Sequence, residues 1–287
     1  MIKYPSFLDL PEYYIKSKVS EFILEDAPFG DITTMGTIDK VQISTAEIQA
    51  EESMVFAGEK IIRHFLNENA EVEVFFKDGS YIENNEAIAR ISAVSSHILI
   101  RERILLNLLQ RLCGIATLTR NYVDIAKPYG VKILDTRKTT PGLRLFEKYA
   151  VAVGGGSNHR LDLSSGILIK DNHIFASGGI KQAVEKMRIS EINYGIEVEI
   201  SNFTELKEAL KAGVDGILLD NLSPDDTEKA VKIIRNYPKG DKIFIETSGG
   251  INLNNVEDYI ASGIDGISIG GLTHSVKCSS IHLEFIK

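Results

Sequence analysis

Ala212-Gly213-Val214-Asp215-Gly216-Ile217 and Ser262-Gly263-Ile264-Asp265-Gly266-Ile267 are two copies of one hexad. Each carries the chain from a helical pattern (residues 203–212 and 256–261) into a short apolar strand (217–219 and 267–269). Further strands of the same kind fall at 131–134, 167–169, 196–200 and 243–245, with helical patterns at 143–153, 180–188 and 225–235 between them. Apolar strands alternating with helices form a parallel sheet covered by helices. Six such strands make a closed or nearly closed βα barrel or a doubly wound open sheet. The repeated hexad favours the barrel, because repetition suits a ring.

The preceding part of the chain has a different rhythm. A helix is expected over 8–24, with Leu10, Tyr14, Val19 and Ile23 as its apolar stripe. Alternating strands are expected at 43–50, 72–76 and 87–94, with a short helix over 58–66. One long helix over 95–123 follows, with Ile98, Leu105, Leu109, Leu112 and Ala116 on its apolar face. No low-complexity linker separates the two parts, so the domain boundary is placed inside this helix.

The chain has 287 residues and a net charge of −8, with 44% hydrophobic and 25% charged residues, which are globular values. An acidic balance argues against a nucleic-acid scaffold, which needs an excess of Lys and Arg. The charge is uneven, however. Residues 101–171 hold twelve Lys and Arg against six acids, a cationic stretch that suits an anionic small molecule. Two cysteines, Cys113 and Cys278, allow neither a disulfide framework nor a zinc cluster, and both are expected as small buried residues. With no basic head before an apolar run and no long apolar stretch, a soluble cytoplasmic protein is expected.

Polar residues gather after the barrel strands. The first is followed by Asp135-Thr136-Arg137-Lys138-Thr139-Thr140, the second by Lys170-Asp171-Asn172-His173. The third carries Glu197 and Glu199 at alternate positions. The fourth ends in Asp220-Asn221, the fifth in Glu246-Thr247-Ser248-Gly249-Gly250, the sixth in Ile269-Gly270-Gly271. In a βα barrel these ends share the face that carries the active site. Arg137, Lys138, Arg160 and Lys170, with His159, suit carboxylates or phosphates. Glu199 and Asp220 suit sugar hydroxyls or Mg²⁺. Ser248-Gly249-Gly250 and Gly270-Gly271 allow backbone N–H groups to approach a phosphate. The implied ligand carries a phosphate, sugar hydroxyls and a second anionic group; a phosphoribosyl donor with an aromatic acid fits. Simpler roles are expected for Gly154-Gly155-Gly156, as a helix cap and turn, and for His173, as a backbone hydrogen-bond partner. Lys170 also admits a Schiff-base role, which requires a desolvated amine.

Three blocks carry a resemblance: Asp135 through Arg144, Glu147 through Val151 with Gly154 through Arg160, and Leu168 through His173. They closely resemble the quinolinate phosphoribosyltransferase family. Gly30 through Thr34, Cys113 through Thr117, Glu197-Val198-Glu199, Leu219-Asp220-Asn221, Ser248 through Ile251 and Leu272 through Ser275 extend the match over nearly the whole chain. The resemblance implies an N-terminal α/β sandwich domain (1–112, joined by the tail 273–287) and an incomplete six-stranded α/β barrel (113–272). It implies transfer of phosphoribosyl from phosphoribosyl pyrophosphate to quinolinate, with Mg²⁺, giving nicotinate mononucleotide, pyrophosphate and CO₂ in NAD biosynthesis. It further implies a homodimer, sometimes assembled further, in which Arg103 is supplied in trans.

By the same resemblance, quinolinate's carboxylates face Arg103, Arg137, His159, Arg160 and Lys170. Thr136 and Lys138 line the site, with Lys138 toward the pyrophosphate. Glu199 and Asp220 face the ribose and Mg²⁺, and Ser248, Gly249, Gly250, Ile269, Gly270 and Gly271 take the 5-phosphate. Lys138, Lys170, Glu199 and Asp220 are the expected catalytic residues. A paralogous group encoded with molybdate-transport genes loses parts of the Asn-His-Arg and Lys-Asp-Asn-His blocks, and both are intact here. A non-catalytic phosphosugar-binding protein on the same scaffold should lack the acid pair Glu199 and Asp220.

Overall fold

The computed structural model describes residues 2, 4–66 and 69–287. The first part of the chain runs α1 (Glu12–Asp26), α2 (Ile32–Thr37), β1 (Ile43–Ala50), β2 (Met54–Val55), α3 (Glu59–Phe65), β3 (Glu71–Val74), β4 (Tyr81–Ile82), β5 (Ala87–Val94) and α4 (Ser95–Ala126). Then follow β6 (Lys132–Leu134), α5 (Arg144–Val153), β7 (Ile167–Ile169), α6 (Asp171–Ser177), α7 (Ile180–Ile189), β8 (Ile196–Ile200) and α8 (Phe203–Ala212). The last are β9 (Gly216–Asp220), α9 (Pro224–Arg235), β10 (Phe244–Ser248), α10 (Val256–Ile260), β11 (Gly266–Ser268), α11 (Gly271–His274) and β12 (Ile281–Ile286).

These elements form two compact units. One comprises Phe7–Arg120, Pro141–Gly155 and Ser275–Lys287; the other comprises the segment ending at Ser6, Asn121–Thr140 and Gly156–His274. Compactness thus divides the chain at Arg120, within α4, and adds α5 to the first unit.

In the first unit an antiparallel sheet runs β12-β1-β5-β3. The alternation of β1 buries Ala46, Ile48 and Ala50, as a half-covered strand should. The expected stripe of α4 is buried throughout: Ile98, Leu105, Leu109, Leu112 and Ala116 are all at most 1% exposed. The helix expected from residue 8 starts only at Glu12, because Pro11 holds the extended conformation at the N-cap and restricts the residue before it. Every residue of α5 from Phe146 to Val153 is buried. Arg111 donates to Glu147 at 2.6 Å and 2.8 Å. Tyr149 donates to Asp78, whose other carboxylate oxygen accepts from Gly58 N (2.7 Å) and Glu59 N (3.0 Å) and so caps α3. Cys113 is buried as expected. Cys278 is exposed, a correction: it lies on the stretch leading to β12, outside the core.

In the second unit six parallel strands run β6-β11-β10-β9-β8-β7. The first and last strands of the ring pair through β6 and β11, so the barrel opens between β6 and β7. There the chain leaves for α5 and returns to make only the single bridge Leu134–Ser157. The two hexads do identical work. Asp215 accepts from Ile196 N (2.9 Å) and pairs with Arg188 (2.9 Å); Asp265 accepts from Ile245 N (2.7 Å) and pairs with Arg235 (2.7 Å). Each Asp thereby ties the start of one strand to its neighbour and to a helix on the outside of the sheet. The glycines that follow, Gly216 and Gly266, start β9 and β11 without side chains. Among the described residues no helix is long and apolar enough to cross a membrane.

Candidate active site

A cavity of about 440 Å³ lies at the strand ends of the second unit. It brings together Thr136, Arg137, Lys138, His159, Arg160, Lys170, Glu199, Asp220 and Ser248 of the expected site, with Leu168, Leu218, Asn221, Glu246 and Ser268 beside them. Parallel register explains the convergence: Glu199 lies level with Leu218 on β9, and Asp220 with Ser248 on β10. Two quoted blocks meet here. Asp135, fully buried, accepts from Asn158 Nδ2 (2.7 Å) and His159 N (2.9 Å), fixing the loop that carries His159 and Arg160.

The cations are arranged for an anion. Arg137 has a buried Nε with no hydrogen-bond partner, and a buried unsatisfied donor of a charged group is costly unless a ligand supplies the acceptor. Arg160 has its pKa lowered by burial and by the neighbouring charge of Arg137. Two guanidinium groups so placed favour a dianion. Lys170 forms an ion pair with Glu199 and keeps partial exposure. So paired and partly exposed, it lacks the desolvated surroundings that Schiff-base chemistry requires. His173 accepts the N–H of Lys170 through Nδ1 at 3.0 Å, the backbone role expected for it.

Two of the glycines expected at the phosphate take left-handed backbone conformations. Gly249 has φ +102°, and a Cβ there would lie 2.1 Å from Asn221 Oδ1; Gly250 has φ +64°. A Cβ on Gly270 would lie 2.9 Å from the Lys138 side chain. Gly249, Gly250, Ile269, Gly270 and Gly271 are not among the cavity's lining residues. Arg103 is not among them either; it lies exposed on α4 in the other unit.

Sequence reasoning missed a buried cluster beneath these groups. Glu197 and Glu246, 1% and 0% exposed, approach His159 Nε2 at 3.4 Å and 3.7 Å. Burial, and next the charge of Glu197, raise the Glu246 carboxyl to about 7, against the opposing effect of His159. The signal for Glu197 was its alternation with Glu199, which puts both on one strand face. Glu246 stands two residues before Ser248 in the same way.

For Mg²⁺ the donor set fits. Glu199 and Asp220 end adjacent strands, Lys170 takes one oxygen of Glu199, and Asn221 Nδ2 donates to Asp220 Oδ2 at 2.9 Å. Each carboxylate keeps a second, hard oxygen, and Mg²⁺ uses one or two carboxylates together with substrate oxygens.

Comparison with known proteins agrees with this geometry. The family model described as "Quinolinate phosphoribosyl transferase, C-terminal domain" matches residues 115–284, and its N-terminal counterpart matches residues 31–113. This chain belongs to the quinolinate phosphoribosyltransferase family. Among its relatives is a probable nicotinate-nucleotide pyrophosphorylase (carboxylating) of Bacillus subtilis, 43% identical over 94% of this chain and 93% of that one. The nicotinate-nucleotide pyrophosphorylase (carboxylating) of Mycobacterium leprae is 36% identical over 91% of this chain and 93% of its own length. The solved nicotinate-nucleotide pyrophosphorylase of Francisella tularensis superposes with a TM-score of 0.91 at 35% identity, covering 99% of this chain and 100% of that chain. Within this family, the two sequence domains meet at residues 113–115, inside α4.

Proposed function

We propose that this enzyme transfers the phosphoribosyl group of phosphoribosyl pyrophosphate to quinolinate, releasing pyrophosphate and CO₂ and forming nicotinate mononucleotide for NAD biosynthesis. The observation that carries the reading is the unpartnered Arg137 Nε in a cavity that Arg160, Lys170 and the acid pair Glu199 and Asp220 also line. Anion binders and carboxylates lining one cavity match a diacid that attacks a sugar cation.

Arg137, Arg160 and Lys170, with His159, hold the two carboxylates of quinolinate and present its ring nitrogen to the anomeric carbon. Pyrophosphate leaves with its bonding electron pair, and Lys138 neutralises charge on it. The ribose then bears oxocarbenium character, which Glu199 and Asp220 stabilise electrostatically. The turn at Ser248, Gly249 and Gly250, with Ile269, Gly270 and Gly271, holds the 5-phosphate through backbone N–H groups. Once the nitrogen is bonded to ribose and cationic, the 2-carboxylate leaves as CO₂. Its electron pair stays on the ring carbon beside that nitrogen and takes up a proton. Mg²⁺, held by Glu199 and Asp220, would offset the charge of the pyrophosphate group.

The same proposal includes a cytoplasmic homodimer in which Arg103 completes the diacid site of the partner subunit. Its support is the exposure of Arg103 on α4 and the apolar surface of the same unit, where Phe29, Ile32 and Met35 are 92%, 83% and 72% exposed. The decisive assay follows nicotinate mononucleotide formed from quinolinate and phosphoribosyl pyrophosphate with Mg²⁺. Turnover of nicotinate in place of quinolinate refutes the substrate assignment.

A further inference from the structure

We propose that Tyr4, on the segment leading into α1, is a positioning residue for the diacid side of the site. It acts by holding Glu197 and His159 from below. This rests on the proposed reading that His159 and Arg160 receive the diacid.

The barrel floor has room for this segment because of the hexads. Glu197, Gly216 and Phe244 lie level with one another on β8, β9 and β10. A Cβ on Gly216 would meet Ile2 Cγ1 at 2.9 Å, so the glycine's missing side chain is replaced by Ile2. The Tyr4 ring packs edge-on against Phe244 (5.2 Å between centroids) and lies 4.8 Å from the His159 ring. The backbone is fastened to the loop that carries His159: Asn158 N donates to Pro5 O at 2.8 Å, and Ser6 Oγ donates to Gly156 O at 3.2 Å.

The polar end of Tyr4 meets the buried cluster. Its hydroxyl donates to Glu197 Oε2 at 2.5 Å and lies 3.3 Å from His159 Nε2. Arg160 N donates to His159 Nδ1 at 2.7 Å, which assigns the ring proton to Nε2. The Tyr4 oxygen can therefore accept from the imidazole while its proton goes to Glu197. Glu197 needs this donor, since its Oε1 is buried without a partner. A buried carboxylate short of donors draws the nearest cation. Here that is Arg160, whose charge already interacts with Glu197. The Tyr4 hydroxyl offsets that pull, so that Arg160 faces the cavity.

The test uses the full chain and Tyr4→Phe, which keeps the ring contacts. Quinolinate KM is expected to rise roughly tenfold, the factor that loss of one hydrogen bond to a charged group gives. The KM for phosphoribosyl pyrophosphate stays within about twofold and Tm shifts by no more than a few degrees. In a Glu197→Gln background, where no charge competes for Arg160, Tyr4→Phe changes quinolinate KM by less than about twofold. This non-additivity is the mark of two residues acting as a unit. An unchanged quinolinate KM, a parallel rise of both KM values, or an undiminished effect in the Glu197→Gln background overturns the inference. Failure of wild-type protein to use quinolinate at all refutes instead the functional reading on which it rests.

Discussion

Replacing Glu246 by Gln isolates the energetic consequence of the buried cluster. Glu246 is fully buried on β10, and its carboxyl is raised from 4.5 to about 7, chiefly by burial and then by Glu197. Between these two pH values the folded protein holds a proton that the unfolded chain has released. Stability therefore falls as pH rises through this window, and the neutral carboxyl's contribution is fully present only below 4.5. At about 1.4 kcal/mol per pH unit, the whole window is worth about 3 kcal/mol. Most of this falls between pH 5 and pH 8. Gln keeps the shape and has no charge to bury, so its stability escapes this decline. In urea unfolding followed by circular dichroism, the variant should gain roughly 2–3 kcal/mol relative to wild type on going from pH 5 to pH 8. Parallel stability curves across that range would falsify a Glu246 carboxyl raised toward neutrality by burial.

Three further outcomes are expected. Arg137→Ala should lower kcat/KM at least a hundredfold, about 3 kcal/mol for a charge-assisted contact, with Tm unchanged; near-normal turnover removes Arg137 from the site. Gly249→Ala forces a side chain onto φ +102° and into Asn221, so KM for phosphoribosyl pyrophosphate should rise and stability fall by about 1–3 kcal/mol. Lastly, Arg103→Ala and Lys170→Ala, each inactive alone, should recover roughly a quarter of wild-type activity when mixed and reassembled, because about half of the closed two-fold dimers are then heterodimers and each of these contains one intact site of two. No recovery after verified subunit exchange argues against a site shared between subunits.

The sequence alone determined the local elements and the polarity of the site. Apolar runs punctuated by helical patterns located β7 and β8 to the residue, since strand and helix periods are local properties of the chain. The cations and acids after the strands were legible for the same reason: parallel strands deliver their C-terminal ends to one face. The tertiary structure decided which residues meet. It put the barrel's opening between β6 and β7, because the chain between them leaves to bury α5 in the other unit. It also decided that Glu246 and Glu197 share a desolvated space with His159, and that Tyr4, remote in sequence, donates to Glu197. The period of a strand says which way a side chain points. What it points at depends on barrel closure, which no local pattern records. The hexads span both levels: their repetition announced the ring, and only the folded ring showed that Asp215 and Asp265 bind it together while Gly216 leaves room in its floor.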